Sequence, residues 1–136
     1  AKRLSVDEHL SRHRLADLFL DTIPYNAHTT ASDALWAGVP VLTCLGSTFP
    51  GRVSSSLLHA IGLPELIAPS LAEYETMAID LAKNPHKLST IRLKLQENTK
   101  IFPLFNSNLY TQNLEAAYIK MYEIYSSDMP PESFCV

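Results

Sequence analysis

The feature that most constrains the fold is a strand–helix–strand pattern in the first third of the chain. Residues 18–20 are apolar and end at a polar, proline-containing segment, and residues 39–43 are apolar throughout. Between them, residues 30–37 carry apolar side chains at helical spacing, and Gly38 then suits a left-handed helix end. Continuously apolar strands joined by a helix are typical of a parallel sheet with both faces covered. We therefore expect an α/β fold.

The remaining pattern extends this arrangement towards the C-terminus. It predicts a helix at 52–61, a third strand at 65–67, a helix that starts behind the capping box of Ser70 and Glu73, a further helix from residue 88, and a long helix after residues 106–108. Three strands are few for a doubly wound domain, so we expect further strands upstream. The chain is predicted to be one partial domain, with an α/β portion at 1–105 and a C-terminal helix and tail at 106–136.

Composition excludes several classes of partner. The formal net charge is −3 and no run of Lys or Arg occurs, which argues against nucleic-acid binding. No apolar stretch reaches the roughly 20 residues that span a bilayer, and no signal-peptide core follows the first residues. Cys44 and Cys135 match neither a disulfide framework nor a metal site. We expect a cytoplasmic protein without a membrane segment and without a metal cofactor.

The segment 21–30 is the densest candidate for a binding site. It runs from the end of a predicted strand into a helix N-terminus, which is where open α/β sheets bind ligands. The unpaired N–H groups and the dipole of a helix N-terminus hold phosphate, and His28, Thr29 and Thr30 add hydrogen-bond donors. The residue types at this position favour a diphosphate ligand.

Two alternatives compete with this interpretation. Thr30 and Asp33 have the spacing of a capping box, which requires no ligand, and spacing alone does not separate capping from binding. If Asp33 is not a cap, its carboxylate suits ribose hydroxyls. Tyr25 and Asn26 precede the phosphate candidates and are possible sugar-pocket residues, but Asn also favours a bend.

A longer set of motifs resembles the O-linked N-acetylglucosamine transferases and their SPINDLY-like relatives. These motifs are residues 15–22 (LADLFLDT), 28–30 (HTT), 33–41 (DALWAGVPV), 52–56, 62–67 (GLPELI) and 103–106 (PLFN). The resemblance covers nearly the whole chain. It implies the C-terminal part of a Rossmann-like, nucleotide-sugar-binding domain of a GT-B glycosyltransferase, with parallel strands, covering helices and a long C-terminal helix.

The resemblance also implies roles for individual residues. His28, Thr29 and Thr30 would contact the diphosphate of a UDP-sugar, Asp33 would take ribose hydroxyls, and His9 would pack by the uracil. Without the resemblance, His9 is interpreted as a solvated helix residue. Two departures are visible, because Val6 stands where the family has a lysine and the loop 45–51 lacks the expected Pro-Gly-Glu.

The implied reaction is transfer of a sugar from UDP, N-acetylglucosamine by resemblance, to Ser or Thr hydroxyls of a protein. The catalytic and acceptor-binding groups would lie in regions upstream of this chain, so no catalytic residue is assigned here. No metal is required by that scheme. Two alternatives remain open: a relative that uses a fucose or glucose donor, and a non-catalytic nucleotide-binding or protein-interaction module that presents the tyrosine-rich stripe of the last helix.

Overall fold

The computed structural model describes residues 4–136 and divides the chain into two compact units, Ala1–Leu104 and Phe105–Val136. Residues 1–3 lie outside the described residues. The prediction that no signal-peptide core follows the first residues falls partly on them. The first unit contains helices α1 to α5 and strands β1 to β3. Their bounds are α1 Val6–His13, β1 Phe19–Leu20, α2 Thr29–Trp36, β2 Val41–Cys44, α3 Val53–Ala60, β3 Ile67–Ala68, α4 Leu71–Lys83 and α5 Pro85–Ile101. The second unit contains α6, Ser107–Ser126, and the tail.

The three predicted strands form one parallel sheet in the order β1-β2-β3. Phe19 pairs with Val41, and Thr43 pairs with Ile67, so β2 is central. All of its residues are buried. Successive side chains of a strand point to opposite faces, so burial of the whole strand means that both faces of the sheet are covered. The continuous apolar pattern of 39–43 therefore predicted the central strand correctly.

Helices α2 and α3 contact each other and β2, whereas α4 contacts β2 and β3 and carries α5 behind it. Buried Leu35, Leu42 and Leu58 come from α2, β2 and α3, and Leu81 and Leu95 come from α4 and α5. Burying a leucine side chain stabilises a fold by about 1.5–3 kcal/mol. The core thus lies on the central strand.

Glycines and caps set the helix ends as the sequence indicated. Gly38 and Gly62 have φ of +83° and +72°, the left-handed conformation that glycine adopts without strain. The Ser70 side chain accepts a hydrogen bond from the Glu73 N–H and begins α4. Buried Asn98 of α5 donates to the carbonyl oxygens of Ile61 (2.8 Å) and Gly62 (3.2 Å), which satisfies acceptors at the end of α3.

Element bounds differ from the sequence-based ones by a few residues. The third strand is only Ile67–Ala68, because Pro64–Leu66 forms a 3₁₀ turn. Helix α5 begins at Pro85 rather than at Leu88, since proline suits the first helical position. In the second unit, Ile124 of α6 is buried, while Tyr110, Met121 and Tyr125 of the predicted apolar stripe are exposed.

Candidate functional site

The C-terminal end of β1 is organised by the buried carboxylate of Asp21. Its Oδ1 accepts hydrogen bonds from the N–H groups of Thr22 (2.8 Å) and Ala27 (2.7 Å). Its Oδ2 accepts from the hydroxyl of Thr43 on β2 at 2.6 Å. Asp21 is 5% exposed, so these donors replace the water that the carboxylate has lost. The carboxylate therefore connects the turn before α2 to the central strand.

The turn between β1 and α2 is held by further contacts. The Thr22 hydroxyl donates to the Tyr25 carbonyl at 2.7 Å, and Asn26 Nδ2 donates to the Thr22 carbonyl at 3.0 Å. From α3, the Ser54 hydroxyl donates to the Ala27 carbonyl at 2.8 Å. The Ile23–Pro24 peptide bond is cis. Asn26 is 2% exposed, so its side chain supports the turn from inside.

Tyr74 of α4 adds a tether from another element. Its hydroxyl donates to the main-chain carbonyl of Asp21 at 2.9 Å. Burial and then the nearby Asp21 charge raise the pKa of the Tyr74 hydroxyl above its usual range. The phenol therefore stays protonated and keeps its donor role at physiological pH.

Helix α2 begins at Thr29 without a side-chain cap. His28 is the N-cap residue, and its side chain makes no capping hydrogen bond. The capping-box interpretation of Thr30 and Asp33 is wrong, because the helix starts two residues earlier than that motif requires and Thr30 lies inside it. Exposed Thr29 and Thr30 thus stand at a helix N-terminus whose first N–H groups no side chain caps.

His28 lies against two exposed aromatic rings. The Tyr25 ring stacks on the imidazole with centroids 5.1 Å apart and planes 18° apart. The Phe49 ring meets it edge-on, with centroids 6.3 Å apart. His28 Nε2 is buried and has no hydrogen-bond partner. An unpaired buried polar atom is costly in a folded protein, which makes this helix N-terminus a candidate binding position.

His9 and Asp33 join α1 to α2. His9 Nε2 lies 3.5 Å from Asp33 Oδ2, and both side chains are about one-third exposed. Asp33 follows Thr29 by four residues and Thr30 by three, which places all three on one face of α2. The structure therefore places Thr29, Thr30 and Asp33 on one face of α2 and brings His9 of α1 to Asp33.

Arg12 determines the hydrogen-bonding state of His9. Its guanidinium Nη2 lies 2.7 Å from His9 Nδ1. A guanidinium only donates, so Nδ1 must accept, and the His9 ring proton then sits on Nε2, the atom nearest Asp33. His13 Nε2 is 3.4 Å from the same His9 atom. Burial and then the proximity of His9 lower the pKa of His13.

Sequence reasoning missed three contributors to this region. Asp21 lies within the candidate segment 21–30, but the sequence predicts no role for it, and it predicts none for Arg12 or for the loop residue Phe49. A carboxylate directly after a strand is a signal that could have found Asp21. Nothing in the sequence predicts that Phe49 contacts His28, because 21 positions separate them. Tyr25 is at the exposed rim of the site.

Two negative findings, on metal sites and on membrane-spanning helices, apply to residues 4–136. No group of three or more His, Cys, Asp or Glu side chains is arranged to hold a metal ion in that range. In the same range, no helix has the length and hydropathy needed to cross a membrane.

Comparison with known proteins gives the family. The model of glycosyl transferase family 41 matches residues 2–114. The chain belongs to glycosyl transferase family 41. The resemblance that the sequence motifs predicted is confirmed, and the match extends over both the α/β portion and the start of α6.

Curated relatives and a solved structure agree with this assignment. The chain is 42% identical over 130 residues to the probable UDP-N-acetylglucosamine--peptide N-acetylglucosaminyltransferase SEC of Arabidopsis thaliana. It is 39% identical over 124 residues to the probable SPINDLY enzyme of Petunia hybrida. These matches cover 95% and 90% of the chain but only 13% of each relative. The family 41 chain described here therefore corresponds to a small part of those proteins.

A mutant of the Thermobaculum terrenum O-GlcNAc transferase is similar in structure, with a TM-score of 0.83 and 34% sequence identity. The match covers 90% of this chain and 24% of that one. It confirms the predicted fold class, the C-terminal part of a Rossmann-like domain of the GT-B type.

Proposed function

We propose that this chain is the donor-binding part of a glycosyltransferase that takes a UDP-sugar, UDP-N-acetylglucosamine in the first instance, and transfers the sugar to Ser or Thr hydroxyls of proteins. The observation that carries the proposal is the uncapped N-terminus of α2 directly after the C-terminal end of β1. The names of the relatives support the class of donor and acceptor.

The proposed roles follow from geometry and chemistry. The first N–H groups of α2 and the hydroxyls of Thr29 and Thr30 bind the diphosphate, and His28 adds a ring donor once it rotates or its neighbours part. Asp33 accepts hydrogen bonds from ribose hydroxyls. His9, held by Arg12 in its Nε2-protonated form, packs beside the base.

This arrangement serves the reaction by stabilising the negative charge of the leaving UDP. Breaking the bond between the sugar and the diphosphate places negative charge on the leaving UDP. Fixed N–H dipoles stabilise that charge without reorganising during the reaction. The described residues then contribute donor binding and leaving-group stabilisation, while acceptor binding and proton transfer fall to other regions of the full-length enzyme.

The proposal is tested by titration calorimetry of the chain with UDP and with uridine. We expect UDP to bind more tightly, since uridine lacks the phosphates that the α2 N-terminus would hold. Equal affinities would refute the phosphate assignment.

Matched threonine variants locate the phosphate contact. Thr30→Ala is expected to weaken UDP binding and leave uridine binding unchanged. Thr90→Ala, at an exposed threonine within α5, is the control and should change neither. A UDP affinity that survives Thr30→Ala and Thr29→Ala together would remove both hydroxyls from the site.

The donor sugar is tested separately. A panel of UDP-N-acetylglucosamine, UDP-glucose and GDP-fucose in calorimetry distinguishes the proposed donor from the fucose and glucose alternatives. Binding of none of them, with no binding of UDP, would instead favour the non-catalytic module.

A further inference from the structure

The loop 45–51 presents an unusual side chain to solvent. Phe49 is 80% exposed, although it is one of the largest apolar residues of the first unit. Its ring contacts His28 of the proposed diphosphate site, with the ring centroids 6.3 Å apart. Tyr25, 63% exposed, stacks on the same imidazole. Two exposed aromatic rings therefore border His28, at the edge of the proposed diphosphate site.

The Phe49 ring is held in this position by its own loop. The Gly46 N–H donates to the Gly51 carbonyl at 2.8 Å, and the Arg52 N–H donates to the Phe49 carbonyl at 3.0 Å. The Gly51 N–H also donates to the Thr48 hydroxyl at 3.3 Å. These bonds close the loop at its base and at its tip.

The loop is also attached to the turn before α2. The Asn26 N–H donates to the Pro50 carbonyl at 3.1 Å, one residue from Phe49. A Cβ at Gly51 would lie 3.0 Å from the Pro24 carbonyl oxygen, so the two segments are in close contact. The exposure of Phe49 is consequently a property of a fixed loop and not of a side chain on a mobile one.

A sugar linked to the diphosphate carries apolar groups that suit the exposed faces of these two rings. A pyranose presents a face of C–H groups, and an N-acetyl substituent adds a methyl group. Small-molecule sites bury such apolar groups against aromatic side chains and fix orientation with a few polar contacts. The sugar is covalently attached to the second phosphate, so residues that border the phosphate site, such as Tyr25 and Phe49, are its expected neighbours.

We propose that Phe49 lines the donor-sugar subsite together with Tyr25 and contacts the apolar face or the N-acetyl methyl of the sugar. This inference rests on the proposed function, since it assumes that the diphosphate binds at the α2 N-terminus. It assigns a specificity-determining role to the loop 45–51, for which no sequence motif predicts a role.

The test compares UDP with UDP-N-acetylglucosamine on Phe49 variants of the chain. Phe49→Ala is expected to weaken UDP-N-acetylglucosamine about tenfold, the effect of losing one aromatic contact. UDP affinity should stay within about twofold of the unmodified chain. Phe49→Tyr keeps the ring and should retain affinity for both ligands. Tyr118→Ala removes a 60% exposed ring from α6 and is the control.

The possible outcomes distinguish a contact of Phe49 with the sugar from a contact with the nucleotide. An equal loss of UDP and UDP-N-acetylglucosamine affinity in Phe49→Ala would mean that Phe49 supports the nucleotide or the loop, and it would overturn the sugar contact. Unchanged affinity for both ligands would overturn it as well; a raised KM for the acceptor in the full-length enzyme would then assign Phe49 to the acceptor. Failure of the unmodified chain to bind UDP would instead refute the proposed function.

Discussion

At the scale of single residues, the structure excludes one of two roles considered for Asp33. Its carboxylate does not cap α2, because the helix begins at Thr29, and its one ion-pair partner among the described residues is the His9 imidazole at 3.5 Å. A partly exposed pair of this kind contributes at most about 1 kcal/mol. Asp33 is therefore available to a ligand at little cost to the fold.

Asp33→Asn is predicted to leave the free energy of unfolding within about 0.5 kcal/mol of the unmodified chain. It should weaken UDP binding about tenfold or more, because a charged hydrogen bond to ribose is lost. Urea unfolding and calorimetry measure the two effects. The control is Asp17→Asn, at an aspartate whose side chain is 84% exposed. Reduced stability with intact UDP affinity would return Asp33 to a structural role.

His13 predicts a pH dependence of stability. Its pKa is lowered in the folded chain by burial and by His9 and Arg12, and Asp33 opposes this only in part. The unfolded chain therefore binds more protons than the folded one as the pH falls below about 6.5, the usual histidine value. The stability contribution is present above that pH and is lost on acidification.

Urea unfolding of the chain between pH 7.5 and 5.5 measures this loss. His13→Asn, which never carries a charge, is expected to reduce the fall in stability across that range. His13→Lys, which is always charged, should be less stable already at pH 7.5 and should lack the His13 part of the fall. A slope that is identical in the unmodified chain and in His13→Asn would contradict the assignment.

At the scale of elements, two glycines at helix ends differ in what surrounds them. Gly38 ends α2 with open space where a Cβ would lie, although its φ is +83°. Gly62 follows α3 with a φ of +72°, and a Cβ there would lie 2.4 Å from the Phe102 ring and 2.9 Å from Asn98 Nδ2. Both positions require the left-handed conformation, and only Gly62 is also closely packed against α5.

Gly38→Ala is predicted to cost about 1–2 kcal/mol of unfolding free energy, the strain of a left-handed residue. Gly62→Ala should cost about 1–3 kcal/mol more, because the added methyl displaces Phe102 and Asn98. Chemical denaturation of the two variants gives the difference directly. Equal costs would show that Phe102 yields without strain and that packing does not constrain this helix end.

At the scale of the whole molecule, the chain is a small part of the proteins it resembles. It covers 13% of the Arabidopsis relative, and its sheet has three strands among the described residues. The proposed function assigns the leaving group to this site and assigns none of its residues to take a proton from an acceptor hydroxyl. Positioning two reactants supplies as much as about 7–11 kcal/mol of a barrier, which a donor site alone does not provide.

We therefore predict that the isolated chain transfers no detectable sugar even where it binds UDP. Incubation with radiolabelled UDP-N-acetylglucosamine and a Ser/Thr-rich peptide, beside the full-length enzyme, measures the transfer. Incorporation by the chain within about tenfold of the full-length rate would place the catalytic groups inside these 136 residues.

The sequence by itself determined the family and the order of the strands and helices, and it predicted most members of the candidate site. Apolar runs such as 39–43 predict a buried strand from local pattern, Gly38 marks a helix end by its own conformational freedom, and the HTT motif at 28–30 is contiguous. These features depend on residues that are close in the chain, so their physical consequences can be read without coordinates.

The tertiary structure alone decided how distant residues meet. The start of α2 at Thr29, two residues before the start that a Thr30 cap requires, excluded the capping box. Asp21 reaches Thr43 across 22 positions, and Phe49 reaches His28 from the next loop. Such contacts form because parallel strands bring their C-terminal ends to one edge of the sheet, and that packing sets which side chains are buried, paired or left free for a ligand.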